Sequence, residues 1–366
     1  MAVAQSQTSI VAPAHHAVTV WLALCLVMVA LMVVAGGLTR LTESGLSIVE
    51  WKPMSGIFPP MNEPEWEQEF AGYQTSPQFK KSFPDMTLPE FKHIYWLEYI
   101  HRLLGRIAGV VFLAPLVWFS ARRSIGTQQA FKLAGIFTLG FIQGVIGWFM
   151  VKSGLANEPH VSPYMLAFHL ATGFTIFALI LWETLSASNP QTPSGGFELP
   201  QPPLLLKLFA CLTALLIFAQ VILGAGVAGL HAGLSYNTFP LMDGTWVPEG
   251  LWPYDTWYKN LFEDVTTIQF AHRIMAYGIA VIVPLFWIAG RNNPHVAHLL
   301  PILFSIFVVQ FLLGVLTLLF VVPLPLASLH QANALLLFAI AVTILHRLFI
   351  PLKYVTFEMN GKSLLA

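Results

Sequence analysis

Apolar residues in this chain fall into eight long runs separated by polar stretches. The runs cover residues 18–38, 95–119, 131–151, 164–185, 204–230, 268–289, 299–322 and 326–350. A helix needs about 20 apolar residues to cross the hydrocarbon core of a bilayer, and every run approaches or exceeds that length. The pattern predicts an all-α, polytopic membrane protein with eight transmembrane helices. The polar stretches are unequal. Residues 39–93 form a long loop rich in Glu and Asp, and its prolines (Pro53, Pro59, Pro60) and tryptophans (Trp51, Trp66) predict an ordered segment lying at the membrane surface. Residues 189–203, opening Asn189-Pro190-Gln191-Thr192-Pro193-Ser194-Gly195-Gly196, read as a linker. They divide the chain into an N-terminal half, 1–188, and a C-terminal half, 204–366.

The second half repeats the first. Gly45-Leu46-Ser47 after the first run returns as Gly233-Leu234-Ser235 after the fifth. His101-Arg102 returns as His272-Arg273, Gln143 with Gly147 as Gln310 with Gly314, and His169 as His330. Four matches in one order predict a fused duplication, giving two pseudo-repeated four-helix bundles.

Charge sets the expected orientation. The turns holding Arg122, Arg123 and Lys132, and Arg291, are short and basic, as is the tail with Arg347, Lys353 and Lys362. The loops after runs one and five are long and acidic. Positive residues favour the cytoplasmic side, so both termini are expected there, in a bacterial inner membrane. Lys52, Lys80, Lys81 and Lys92 run against this trend, but long loops weigh less. Residues 1–17 contain no Lys or Arg, unlike a secretory signal or a transit peptide.

Composition agrees. The chain is 56% hydrophobic and 10% charged, with a mean hydropathy of +0.68, against about 25% charged residues in a soluble domain. A net charge of zero gives no footprint for nucleic acid. Cys25 and Cys211 each lie in an apolar run without a Cys-x-x-Cys pattern, and read as small buried hydrophobes.

Histidine carries the candidate chemistry. His101, His169, His272 and His330 stand in the first turns of runs two, four, six and eight, which all enter from the same side. Ionisable residues inside a bilayer are costly and usually functional. Two imidazoles on facing helices of a bundle suit the axial positions of a haem iron. The competing reading is four histidines satisfied by hydrogen bonds to neighbouring helices. Zinc lacks a third and fourth ligand at usable spacing. Arg102 and Arg273 could each meet a haem propionate or snorkel to the interface. Arg106, one turn on, has Tyr277 as its counterpart and belongs to the first half alone. His231 is a candidate supporting residue, opposite Thr42 or Glu43 in the repeat, and the other histidines read as solvated flanks.

One difference breaks the repeat. Glu98 precedes His101 by three residues, and the matching residue before His272 is Gln269. Positions three apart share a helix face, about 4.5 Å apart along the axis. A carboxylate there is paired with Arg102 or Arg106, protonated, or used as a general acid or base. An amide cannot transfer protons. The first half thus reads as a reacting site and the second as a fixed cofactor site.

With these residues in view, the chain resembles the haem A synthases, in their proteobacterial and mitochondrial branch. The resemblance rests on Gly36-Gly37-Leu38-Thr39-Arg40-Leu41-Thr42-Glu43-Ser44-Gly45-Leu46-Ser47, Trp51-Lys52-Pro53, Pro59-Pro60, Glu90-Phe91-Lys92, Glu98-Tyr99-Ile100-His101-Arg102, and the second His-Arg with its partner histidines. It implies that haem O binds between His101 and His169 as substrate and haem b between His272 and His330. The C8 methyl of haem O would be hydroxylated twice and lose water to give the formyl group of haem A, with Glu98 near that methyl. The candidate partners are haem O as substrate, the haem O synthase, an electron-transfer partner, membrane lipid and a second copy of the chain; the sequence itself names neither the delivery partner nor the oligomeric state. Some members carry a cysteine pair in outer loops. Those loops have none here, so a thiol role does not carry over. The alternatives are a dihaem b-type cytochrome that only relays electrons, and a haem carrier. A haem O synthase is disfavoured, because prenyl transfer needs an Asp-rich, Mg²⁺-binding motif in a cytoplasmic loop, and no such cluster is present.

Overall fold

A computed structural model describes residues 11–50, 55–155, 159–188, 197–198 and 200–350, with short strand segments at 353–354, 356–359 and 362–365. The first ten residues, Trp51-Lys52-Pro53 and the linker stretch 189–196 lie outside the described residues. Eleven α-helices follow one another: α1 (Val11–Leu41), α2 (Glu63–Gln74), α3 (Pro77–Ser82), α4 (Leu88–Ala121), α5 (Thr127–Gly154), α6 (Pro163–Ser188), α7 (Leu204–Gly229), α8 (Trp257–Phe262), α9 (Val265–Gly290), α10 (Leu300–Leu319) and α11 (Leu324–Phe349). Eight of them, all but α2, α3 and α8, are long and apolar enough to cross a membrane. They match the eight expected spans. Strand pairing among the described residues is confined to two short antiparallel ribbons, 197–198 with 353–354 and 356–359 with 362–365.

The second span corrects the expected boundary. It begins at Leu88, not near residue 95, and α1 runs on to Leu41. The loop is therefore 42–87, not 39–93. The extra turns of α4 have a local cause. Pro89 occupies the first turn, where its missing N–H costs nothing. Glu90 reaches back to accept from the Thr87 N–H at 2.8 Å and its hydroxyl at 2.7 Å. Phe91, Tyr95 and Tyr99 then bury one face of α4 against Ile48, Trp66 and Tyr73 of the loop and α2. Helix α3, capped by Ser76, adds Phe79 to the same cluster. His101 consequently sits well inside α4, not in its first turns.

Helices α1, α4, α5 and α6 pack on one another, and so do α7, α9, α10 and α11. The contacts correspond in order: α1 with α4 and α6 in one set, α7 with α9 and α11 in the other. Between the sets, α6 meets α7, α1 meets α11 and α6 meets α11. The largest core cluster lies across that seam, joining Val33, Phe174 and Phe177 to Ile217, Phe286 and Phe338. Gln331 on α11 crosses the same seam to donate to the Val33 carbonyl of α1 at 2.7 Å.

Candidate functional site

Four glycines bring four helices close to the four histidines. A Cβ on Gly36 of α1 would lie 3.2 Å from Nε2 of His101 on α4. One on Gly147 of α5 would lie 3.0 Å from Cε1 of His169 on α6. In the second set, Gly224 of α7 faces His272 of α9 at 3.3 Å, and Gly314 of α10 faces His330 of α11 at 2.9 Å. Each imidazole thus rests on bare backbone, which only glycine offers.

Amide side chains hold these rings. Gln143 donates to the His169 carbonyl at 2.8 Å. Gln220 donates to the His272 carbonyl at 3.0 Å and lies 3.2 Å from its Nε2. Gln310 lies 3.2 Å from Nδ1 and 3.3 Å from Nε2 of His330. Nδ1 of His169 and Nδ1 of His272 are buried without a partner. Packing histidines in an apolar core would be expected to satisfy both ring nitrogens. All four residues are half-buried. Two imidazoles per set, one in each set with Nδ1 unpaired, each ring against a glycine: this donor set fits residues that would hold a haem iron.

Glu98 is buried, 3% exposed, and saturated with donors. Its Oε1 accepts from Arg102 Nε at 3.0 Å and Nη2 at 2.5 Å. Its Oε2 accepts from the Ser47 hydroxyl at 2.7 Å and the Ile48 N–H at 2.8 Å. Arg102 also donates to the Ile48 carbonyl at 3.0 Å. The pair ties α4 to the turn that follows α1. Gln269 does the same for the second set with the polarity reversed. Its Nε2 donates to the Ala232 and Ser235 carbonyls at 2.7 and 2.5 Å, and its Oε1 accepts from Arg273 at 3.1 Å. Arg273 donates onward to the Tyr236 and Thr238 carbonyls at 2.6 and 2.9 Å. Both guanidinium groups are thus engaged by protein acceptors. Beside Arg102 and Arg106 a cavity of about 290 Å³ opens under the long loop, lined also by Tyr95, Tyr99, Glu65 and Glu69.

Set against known proteins, residues 19–342 match the family model for cytochrome oxidase assembly proteins. The chain belongs to that family. It is similar to the haem A synthase of Nitrosospira multiformis, 45% identical over 90% of this chain and 93% of that protein. It is also similar to those of Nitrosomonas eutropha, at 43% over 91% and 94%, and Parvibaculum lavamentivorans, at 44% over 91% and 95%. The family match spans all four histidines, Glu98 and Gln269.

Several features of this family member escaped the reading of its sequence: Cys211 is exposed and not buried, and His295 and His346 are buried and not solvated flanks. Ser47 was legible as part of the repeated Gly-Leu-Ser, but its bond to Glu98 was not. His231 meets Glu43, its counterpart in the repeat, at 3.1 Å across the seam. Contact with His231, with Arg40 and His160 behind it, holds the Glu43 carboxyl below the usual carboxylate range.

Proposed function

We propose that the protein is a haem A synthase, oxidising the C8 methyl of haem O to a formyl group by two successive hydroxylations followed by dehydration. The observation that carries this reading is that each four-helix set presents two imidazoles, each ring on a glycine of a neighbouring helix, in a chain 42–45% identical to haem A synthases.

In this reading residues 1–188 form the substrate half and 204–366 the cofactor half. His101 and His169 would hold haem O, and His272 and His330 would hold haem b. Bound haem iron would supply the redox chemistry. The chain supplies position and charge. Gln143, Gln220 and Gln310 fix the helices or rings that present nitrogen. Glu98 lies one turn from His101 on the same face. A carboxylate accepting from Arg102, Ser47 and Ile48 is a fixed acceptor held in place by its donors. It is well suited to stabilise positive charge developing on the substrate. Arg102 and Arg273 would keep the loops closed over the two sites. Receipt of haem O from its synthase, electron exchange with a membrane partner, self-association, and an inner-membrane orientation with both termini cytoplasmic belong to the same reading.

The electron-relay alternative draws on one observation: Glu98 and Gln269 perform matching structural tasks. Mass identification of haems extracted from purified protein separates the two. Haem b with haem O, haem A or the intermediate alcohol supports the synthase. Haem b alone, from cells that make haem O, overturns it.

A further inference from the structure

We infer that Glu43, His160 and His231 form a binding site for a borderline divalent metal ion of the zinc class, at the seam between the two four-helix sets on the long-loop side. The three residues come from three separate segments: the end of α1, the connection from α5 to α6, and the end of α7. Their ligating atoms all lie within 4.8 Å of one another. Two imidazoles and a carboxylate are a donor set that zinc takes, with a fourth position left for water. The His160 and His231 rings stand 5.1 Å apart, edge to face.

The contacts of His231 point to a ligand. Its Nε2 lies 3.1 Å from Glu43 Oε1. Arg40 Nη2 lies 3.1 Å from Nε2 and 3.4 Å from Nδ1, so the guanidinium rests against the face of the ring and leaves the in-plane Nε2 position to the carboxylate side. A cation between Nε2 and Oε1 takes one lone pair from each, and Arg40 keeps its bond to the Ala228 carbonyl at 2.5 Å. The backbone carries a matching signature. Glu43 and His231 occupy equivalent places in the repeat, and both are left-handed, with φ of 54° and 52°. Non-glycine residues in that region are strained, and such strain gathers at ligand sites. An ion here would join the two sets, with Glu43 and His160 from the first and His231 from the second.

The test is zinc titration of haem-loaded, detergent-solubilised protein carrying no histidine tag and stripped with a chelator, read by competition with a chromophoric zinc indicator. One equivalent should bind with micromolar or tighter affinity. Glu43→Gln, His160→Ala and His231→Ala should each weaken it at least about tenfold, while the haem absorbance spectrum stays as in the parent. Arg40→Gln should tighten binding, because it removes a positive charge held against the His231 ring. A purely structural ion-pair cluster gives no such gain. Absence of a bound equivalent, or equal affinity in the three ligand variants, overturns the site. If a ligand variant loses its haem and cannot be scored, the sign of the Arg40→Gln effect decides.

Discussion

Exchanging Glu98 and Gln269 tests the clamp that closes each loop on its helix. In Glu98→Gln one oxygen becomes an NH₂ group. Turned toward Arg102, it faces a donor with a donor. Turned the other way, it faces the Ile48 N–H, which cannot rotate, and the Ser47 hydroxyl, which can. Either way the charge on Arg102 loses its counter-ion, in a pair with side chains 16% and 3% exposed. Breaking a buried pair by removing one partner costs about 3–5 kcal/mol. Arg102 keeps the Ile48 carbonyl and some water, so we expect about 2–4 kcal/mol for this variant. In Gln269→Glu a carboxylate oxygen would face the Ala232 and Ser235 carbonyls, which now accept from Nε2 at 2.7 and 2.5 Å. Acceptor against acceptor is again destabilising, by a similar amount. The assay is thermal unfolding of the haem-loaded protein, followed by tryptophan fluorescence, with extracted haems identified in parallel. Both variants should melt below the parent, and Glu98→Gln should in addition lose haem A formation. If Glu98→Gln melts with the parent, the clamp contributes nothing and the reasoning fails. If it melts low yet forms haem A at the parental rate, Glu98 is structural only.

Three further outcomes follow from close contacts. Gly147→Ala and Gly314→Ala place a methyl 3.0 and 2.9 Å from the rings of His169 and His330, so purified protein should retain less haem. Gly140→Ala and Gly109→Ala, which meet nothing within 4 Å, should retain it fully, and equal retention in all four would discredit the cradle. Gly37→Ala drives a methyl into the Gln331 amide, which must leave the Val33 carbonyl. A loss of about 1–3 kcal/mol is expected from the lost bond and the displaced side chain, seen as a lower melting temperature that Gln331→Ala partly restores in the double variant. Thr87→Ala removes one arm of the capping box before α4 and should cost about 1 kcal/mol, read as faster proteolysis of the long loop with haem content unchanged.

The sequence alone determined the eight spans, because apolar length is a property of the chain read locally, and it pointed to the duplication and the four histidines through repeat order. It also marked the Glu98–Gln269 difference without giving its meaning. Only the tertiary structure decided that both residues clamp a loop. The turn after α1 presents an N–H and a hydroxyl to α4, whereas the turn after α7 presents carbonyls to α9, and the acid or amide follows from that. The direction in which a loop's peptide groups point depends on how the loop is laid across a neighbouring helix, which no residue spacing encodes. The meeting of Glu43 with His231 has the same origin. They lie 188 positions apart and touch because the two sets of helices pack about a common seam, so their contact is a product of symmetry in space and not of proximity along the chain.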